Sequence, residues 1–110
     1  MSSVRMIEIE NRILEIKKEL QSIDLMRPGT LTKQYKIRKE KKGPYYQLSY
    51  THEMKSKTDY IRKNFTEDIK IEVKNYNHFK TLTSEWVKLG IEYSKLRMKN
   101  LNKKGVSDEK

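Results

Sequence analysis

The sequence contains no cysteine, and it is also poor in glycine, proline and apolar residues. Its 110 residues include four glycines and two prolines, and 35% of them are hydrophobic. The absence of thiols excludes disulfide bonds, thiolate zinc sites and cysteine nucleophiles. The apolar residues are too few for a thick core but too regularly spaced for full disorder, so we expect one elongated domain with thin packed layers. A second copy or a partner would add burial that so small a chain lacks.

Long apolar runs are absent as well. Charged and aliphatic residues alternate through the N-terminal segment, MSSVRMIEIENRILEIKKEL. This pattern predicts neither a signal peptide nor a membrane span. We therefore expect a cytoplasmic protein that does not associate with a membrane.

No recognisable catalytic or metal-binding pattern is present. His52 and His78 lie in different predicted elements, without an acidic residue at the spacing of a triad or a metal site. The glycines are scattered singly, which excludes a glycine-rich phosphate loop. Glu67 and Asp68 stand at a predicted helix start, where they compensate the helix dipole. We expect a protein that is not an enzyme and that has no catalytic residues, metal or cofactor.

The net charge of +10 is concentrated in the middle of the chain. Residues 1–24 contain four basic and five acidic side chains, whereas residues 33–63 contain ten basic and three acidic ones. A localised positive field attracts polyanions, of which nucleic acid is the most common in the cytoplasm. The charge distribution therefore favours a nucleic-acid-binding protein.

An amphipathic helix is predicted over residues 2–23. Its apolar residues recur alternately three and four positions apart, an a/d pattern about three heptads long. The pattern predicts helix pairing, either within the chain or with a second copy or a partner protein. The residues assigned to this seam are Met6, Ile9, Ile13, Ile16, Leu20 and Ile23. Trp86, at the centre of the widest apolar stretch of the C-terminal helix, is assigned to the same partner interface.

A small antiparallel sheet of three strands is predicted over residues 30–63. The turn at Pro28-Gly29 ends the first helix. Apolar and polar residues then alternate over residues 31–38, and residues 45–51 are rich in aromatic and β-branched side chains, which suit a strand. Residues 57–63 are expected to return antiparallel as the third strand.

A long helix is predicted over residues 66–100, because apolar residues recur there three or four apart. It would be roughly 50 Å long at about 1.5 Å per residue, which is more than a thin sheet can cover. Its second half therefore has apolar surface to spare for the first helix or for a partner. Gly90 is a candidate for a close-approach point or a break in this helix.

These elements predict an α+β protein with an N-terminal helix, a small three-stranded antiparallel sheet and a long C-terminal helix. The predicted layout is an amphipathic helix over residues 1–24, a sheet-plus-helix domain over residues 25–101 and a disordered tail over residues 102–110.

The middle segment combines many cations with aromatic rings. Lysine and arginine can neutralise phosphates, and tyrosine can stack on bases or pack inward. The alternative is a solvated edge that prevents strand aggregation, but that would require fewer cations. At least two of the four tyrosines are expected in the core: Tyr45, Tyr46, Tyr50 and Tyr60. The predicted nucleic-acid-binding residues are Lys33, Lys36, Arg38, Lys39, Lys41, Lys42, Tyr45, Lys55, Lys57, Arg62 and Lys63.

Several runs of this segment resemble an uncharacterised family of small bacterial and archaeal domains. The runs are Met26-Arg27-Pro28-Gly29-Thr30-Leu31, Gln34-Tyr35 and Gly43-Pro44-Tyr45-Tyr46-Gln47-Leu48-Ser49-Tyr50. The resemblance covers most of residues 26–97 and implies a domain without a settled activity. Many relatives carry a cysteine cluster at the position of residues 38–42, so its absence here argues against a metal site. The chain also resembles the small companion of a DNA polymerase encoded by a mobile cassette.

We therefore expect a small, basic, non-enzymatic accessory protein that binds single-stranded or duplex DNA. Its expected role is in the replication or recombination of a mobile genetic element. The alternative is a protein-interaction subunit whose helices dock on a larger DNA-processing enzyme, such as a polymerase, and modulate it. The expected protein partner is either that enzyme or a second copy of the chain.

Overall fold

A computed structural model describes residues 2–103 of the chain, with side chains described for residues 3–100. The elements are, in chain order, helix α1 (Ser2–Gln21), strands β1 (Thr30–Ile37), β2 (Lys42–His52) and β3 (Lys55–Ile61), a 3-10 turn (Lys63–Phe65) and helix α2 (Thr66–Lys103). The strands form one antiparallel sheet in the order β1-β2-β3. The predicted α+β fold class is confirmed.

The elements differ from the predicted ones at several places: α1 ends at Gln21 instead of residue 23, and β3 spans Lys55–Ile61 instead of residues 57–63. Strand β2 begins at Lys42, inside the predicted connector, because Gly43 adopts a φ of 64° that lets the chain begin pairing with β1 at once. Helix α2 passes through Gly90, where an added Cβ would meet no heavy atom within 4 Å, so the helix neither breaks nor approaches another element there. It continues to Lys103, into the predicted tail, and residues 104–110 lie outside the described residues.

The chain divides into two compact units, and α2 contributes to both. One unit, here called the helix pair, consists of residues 2–22 and 79–103 among the described residues. The other, here called the sheet unit, consists of residues 23–78. The predicted layout instead placed one boundary after residue 24 and kept all of α2 with the sheet.

The core of the sheet unit is small and lies on one side of the sheet. Leu48 of β2 is fully buried and forms a cluster with Ile61 of β3 and Ile69 of α2. The partly buried residues that pack against this cluster are Leu31, Tyr46, Tyr50 and Val73. The first turns of α2 therefore cover one face of the sheet, and the prediction that at least two tyrosines belong to the core is confirmed.

The helix pair buries its predicted seam within the chain. Ile9 and Ile16 of α1 are fully buried, and Leu82 and Leu89 of α2 are nearly so. Each of these two pairs is separated by seven residues, which is the heptad repeat of two packed helices. In residues 2–103 no helix has the length and apolar content that a membrane crossing requires.

Ion pairs join the two helices beside the seam. The Arg12 guanidinium donates two hydrogen bonds to the Glu85 carboxylate, at 2.7 and 2.9 Å, and Arg5 binds Glu92 in the same bidentate manner at 2.6 and 3.0 Å. These hydrogen bonds lower the pKa of Glu85 and of Glu92 below the ordinary glutamate value. Two arginines of this unit therefore serve the fold.

Candidate nucleic-acid interface

The sheet has one covered face and one open face. Residues directly opposite each other in an antiparallel pair point to the same side, and the sides alternate along each strand. Buried Leu48 marks the covered side, which it shares with its cross-strand partners Leu31 and Asp59. The register assigns to the open side Thr30, Thr32, Gln34, Lys36, Tyr45, Gln47, Ser49, Thr51, Ser56, Thr58 and Tyr60.

Two tyrosines form a stacked pair on the open face. The ring centroids of Tyr45 and Tyr60 are 5.8 Å apart, and the ring planes differ by 4°. Tyr60 pairs directly with Gln47, so Tyr45 is its diagonal neighbour, within reach of a long aromatic side chain. Tyr45 is a predicted binding residue, whereas Tyr60 is not in the predicted set. A diagonal contact depends on strand register, which no local sequence pattern reveals.

Five predicted cations lie at the end of the sheet where β1 turns into β2. This hairpin cluster consists of Lys36, Arg38, Lys39, Lys41 and Lys42, and all five are exposed. The turn is closed by the Lys41 N–H, which donates to the Arg38 carbonyl at 3.2 Å, and Lys41 itself has a φ of 52°. Among the described residues only Lys42 has a carboxylate partner, Glu40, at 3.2 Å. The cluster therefore concentrates like charges that are almost unneutralised.

The remaining predicted cations lie elsewhere on the unit. Lys55 and Lys57 begin β3 at the opposite end of the sheet, roughly 30 Å from the hairpin cluster along the strands, and the register places both on the covered side. Lys33 lies on the covered side, with its ammonium 5.5 Å from the ring centroid of Tyr35. Arg62 and Lys63 follow β3 and are exposed. The predicted residues thus form groups at separate places, because successive hairpins turn at opposite ends of a sheet.

Arg27 is a cation of this unit that serves the fold. Its guanidinium binds the Asp59 carboxylate at 2.7 Å and lies 4.9 Å from the ring centroid of Tyr50. Its backbone N–H donates to the Glu72 carbonyl of α2 at 3.0 Å. Asp59 is the one acidic residue that the register places within a strand. Arg27 neutralises its carboxylate, so Asp59 does not repel an anion that binds the sheet.

A cleft of about 300 Å³ beside the start of α2 has the opposite chemistry. Its exposed apolar side chains belong to Leu25, Phe65 and Ile71. Its carboxylates belong to Asp24, Asp68 and Glu72. No predicted binding residue lines this cleft, and its negative charge makes it unsuitable for a polyanion.

The residues assigned to a partner interface are used largely within the chain. Ile9 and Ile16 are fully buried in the helix pair, so they are not available to a partner in this fold. The other five, Met6, Ile13, Leu20, Ile23 and Trp86, are half-buried. The ammonium of Lys17 lies 5.6 Å from the Trp86 ring centroid. Of the pairings left open by the sequence, the structure shows the one within the chain.

Other apolar side chains of the helix pair remain exposed. They are Val4, Ile7 and Leu14 on α1, and Val87, Ile91 and Met98 on α2, each more than half exposed. Val4, Ile7 and Leu14 lie outside the a/d positions of the α1 seam. Within the part of the chain that the structure describes, no three or more His, Cys, Asp or Glu side chains are grouped so as to hold a metal ion.

Comparison with known proteins gives one result. No curated protein and no solved structure matches this chain. A protein-family model does match it, over residues 6–71, which is more than half of the chain. The matched part includes most of α1, the whole sheet and the first turns of α2. The chain therefore belongs to the family described as Domain of unknown function (DUF6788).

Proposed function

We propose that this protein is a small, non-enzymatic accessory protein that binds DNA through its sheet unit. The observation that carries the proposal is the hairpin cluster, in which Lys36, Arg38, Lys39 and Lys41 have no carboxylate partner among the described residues. Concentrated and exposed cations bind the phosphates of nucleic acid and release its counterions, which is the main source of affinity in such complexes.

The open face supports the same proposal. It continues from the hairpin cluster along the strands, and Tyr45 and Tyr60 give it an aromatic platform. Cations beside aromatic rings are the usual composition of a nucleic-acid-binding surface.

Salt dependence tests the proposal directly. Anisotropy titrations with a labelled single strand and a labelled duplex, at several salt concentrations, measure the affinity. If roughly four to six phosphates are contacted, log affinity falls against log salt with a slope of about −3 to −5. An affinity too weak to measure for both ligands, at low salt, would contradict the proposal.

A matched pair of variants locates the phosphate-binding cations. Changing Lys39, Lys41 and Lys42 together to Gln should reduce the magnitude of the slope by about two to three, since each phosphate that is no longer neutralised releases about one counterion fewer. The control changes the exposed Lys88, Lys95 and Lys99 of α2 to Gln, which removes the same charge from the helix pair. Equal effects of the two variants would indicate a general field of the whole chain and no local binding surface.

We further propose that the DNA belongs to a mobile genetic element whose replication or recombination the protein serves. This part is supported by the resemblance to the companion of a cassette-encoded polymerase. Deletion of the gene should lower the copy number or transfer of the element. The wild-type gene should restore it, and the gene changed at Lys39, Lys41 and Lys42 should not. An unchanged copy number and transfer rate after deletion would remove this part of the proposal.

The second candidate function is that of a subunit that docks on a larger DNA-processing enzyme. It is favoured by the exposed aliphatic side chains of the helix pair, which include Val87 and Ile91 on α2. Changing both residues to Ser should abolish co-purification of that enzyme while leaving the isolated protein's DNA affinity intact. The control, Val4→Ser, removes an exposed valine from α1. Retention of the enzyme by the double variant would reject this surface.

A further inference from the structure

The open face of the sheet differs in composition from the rest of the chain. Charged residues make up 36% of the sequence. Yet among the strand residues that the register places on this face, between Thr30 and Tyr60, Lys36 is the single charged one. The other members are four threonines, two serines, two glutamines and the two stacked tyrosines. Such a face can donate and accept many hydrogen bonds while carrying almost no charge.

We infer that this face reads base edges in the major groove of duplex DNA; the inference rests on the proposed function and names its ligand. Phosphate contacts position a protein on DNA, whereas sequence is read by hydrogen bonds and apolar contacts to base edges, which uncharged polar side chains can make. Glutamine can bind adenine N6 and N7 together, and serine or threonine can bond to any base. Gln34 and Gln47 lie on adjacent strands of this face.

The positions of the charged residues fit a separation between phosphate contacts and base contacts. The hairpin cluster lies at one end of the strands, where Lys36 is on the open face, whereas Lys55 and Lys57 at the other end lie on the covered side. A duplex presents its phosphates along the edges of the groove and its base edges on the floor. Cations at one end of a neutral face can therefore meet phosphates at the edge of the groove while the face itself meets the base edges.

The width of the sheet selects the groove. Two spacings between neighbouring strands give a backbone width of about 10 Å. The major groove of B-form DNA is about 12 Å wide and the minor groove about 6 Å, so the sheet backbone is too wide for the minor groove and close in width to the major groove. The major groove of duplex RNA is too deep and narrow for side chains to read.

The tyrosine pair favours a duplex over a single strand. Recognition of single strands commonly uses ring faces that are open for unstacked bases. Here the rings of Tyr45 and Tyr60 are parallel with centroids 5.8 Å apart, so each ring already stacks on the other. Their hydroxyl groups and ring edges remain available, and these can contact base edges and the thymine methyl group in the major groove.

Two measurements on the unmodified protein test the inference. The first compares its affinity for a DNA duplex, for each single strand of that duplex and for the RNA duplex of the same sequence. We expect the DNA duplex to bind at least about tenfold more tightly than the others, since only it presents a readable major groove. The second selects preferred sites from duplexes with a randomised centre and maps dimethyl sulfate methylation on the complex. Protection of guanine N7, which lies in the major groove, is expected, and adenine N3 in the minor groove should stay reactive.

A double variant tests whether two glutamines of the open face make the base contacts. Changing Gln34 and Gln47 to Ala should lower the preference for the selected site by about 5- to 150-fold for each glutamine that binds an adenine through two hydrogen bonds, while the slope against salt stays unchanged. The control is Gln21→Ala at the end of α1, which makes the same change outside the sheet unit. Thermal unfolding of all three proteins shows that the fold is retained.

The outcomes separate the inference from the function on which it rests. Equal or tighter binding of a single strand or of the RNA duplex overturns the inference and leaves DNA binding through the hairpin cluster in place. So does binding that protects adenine N3, or that selects no preferred sequence. Failure of the protein to bind any of the nucleic acids overturns the proposed function itself.

Discussion

The helix pair and the sheet unit use their cations in opposite ways. In the helix pair, Arg5 and Arg12 of α1 each bind a glutamate of α2 through two hydrogen bonds. In the sheet unit, the hairpin cluster has, among the described residues, one carboxylate partner for its five cations. Cations therefore hold helices together in one unit and stay available for an outside anion in the other. The positions of the acidic residues, more than the number of basic ones, thus distinguish a structural surface from a binding surface.

The largest effect should come from a charge placed in the seam of the helix pair. Ile16→Asp would bury a carboxylate without a partner at a fully buried position and should cost several kcal/mol, about the penalty for a buried unpaired charge. Leu14→Asp is the control, because Leu14 lies on the same helix and is 54% exposed. The free energy of unfolding, from chemical denaturation, measures both. Similar losses in the two variants would show that the seam assignment is wrong.

Glycine substitutions should affect the two units with opposite signs. Gly29 in the sheet unit has a φ of 129°, and an added Cβ would lie 2.7 Å from the Ser49 carbonyl oxygen. Gly29→Ala should therefore destabilise the protein by about 1 to 3 kcal/mol or more. Gly90→Ala fills open space on α2 and should stabilise it by about 0.5 to 1 kcal/mol, because alanine favours a helix interior. Melting temperatures that move in the same direction for both variants would contradict this interpretation of the backbone.

The smallest effect should be the pH dependence of the ion pairs in the helix pair. Hydrogen bonds from Arg12 and Arg5 lower the pKa of Glu85 and Glu92 in the folded state. The resulting stability is fully present above the ordinary glutamate value of 4.5 and is lost as the pH falls through the lowered folded values. Changing both glutamates to Gln should flatten the fall of the melting temperature in acid. High salt should reduce the effect, since these carboxylates are partly exposed.

The control for the pH experiment comes from the sheet unit. Glu53 lies in the turn between β2 and β3, and its side chain is 85% exposed. Glu53→Gln removes one carboxylate at the surface, where ion pairs contribute little to stability. It should leave the fall of the melting temperature in acid unchanged. A flattening as large as that of the double variant would mean that acid sensitivity follows net charge and does not depend on the helix pair.

The elements were predictable because their signals are local. The apolar residues of α1 recur three and four positions apart, and apolar and polar residues alternate from Leu31 onward. Each of these patterns is contained in a short stretch of the chain. The turn between β2 and β3 was harder to place. It consists of Glu53 and Met54, with φ values of 51° and 65°, where glycine or asparagine would be usual. Because pairing of the flanking strands holds these two residues in that conformation, the turn does not need the residue types by which a sequence usually reveals a turn.

The candidate site was predictable in composition but not in arrangement. The sequence identified the basic segment and the role of Tyr45 as a candidate, and both remain predictions. It could not show that Lys33 lies on the covered side, that Lys55 and the hairpin cluster lie at opposite ends of the sheet, or that Tyr60 stacks on Tyr45. All of these depend on which residue faces which across the strands.

By itself the sequence determined the order and kind of the elements, the seam of α1 and the excess of positive charge in residues 33–63, because each of these follows from neighbours along the chain. Only the tertiary structure decided that Ile9 and Ile16 are buried within the chain, and that the open face of the sheet carries Lys36 as its single charged residue between Thr30 and Tyr60. The physical reason is the pairing of the strands. A strand register fixes the side of every residue at once, and it is set by burial of distant residues such as Leu48 and Ile69 against each other.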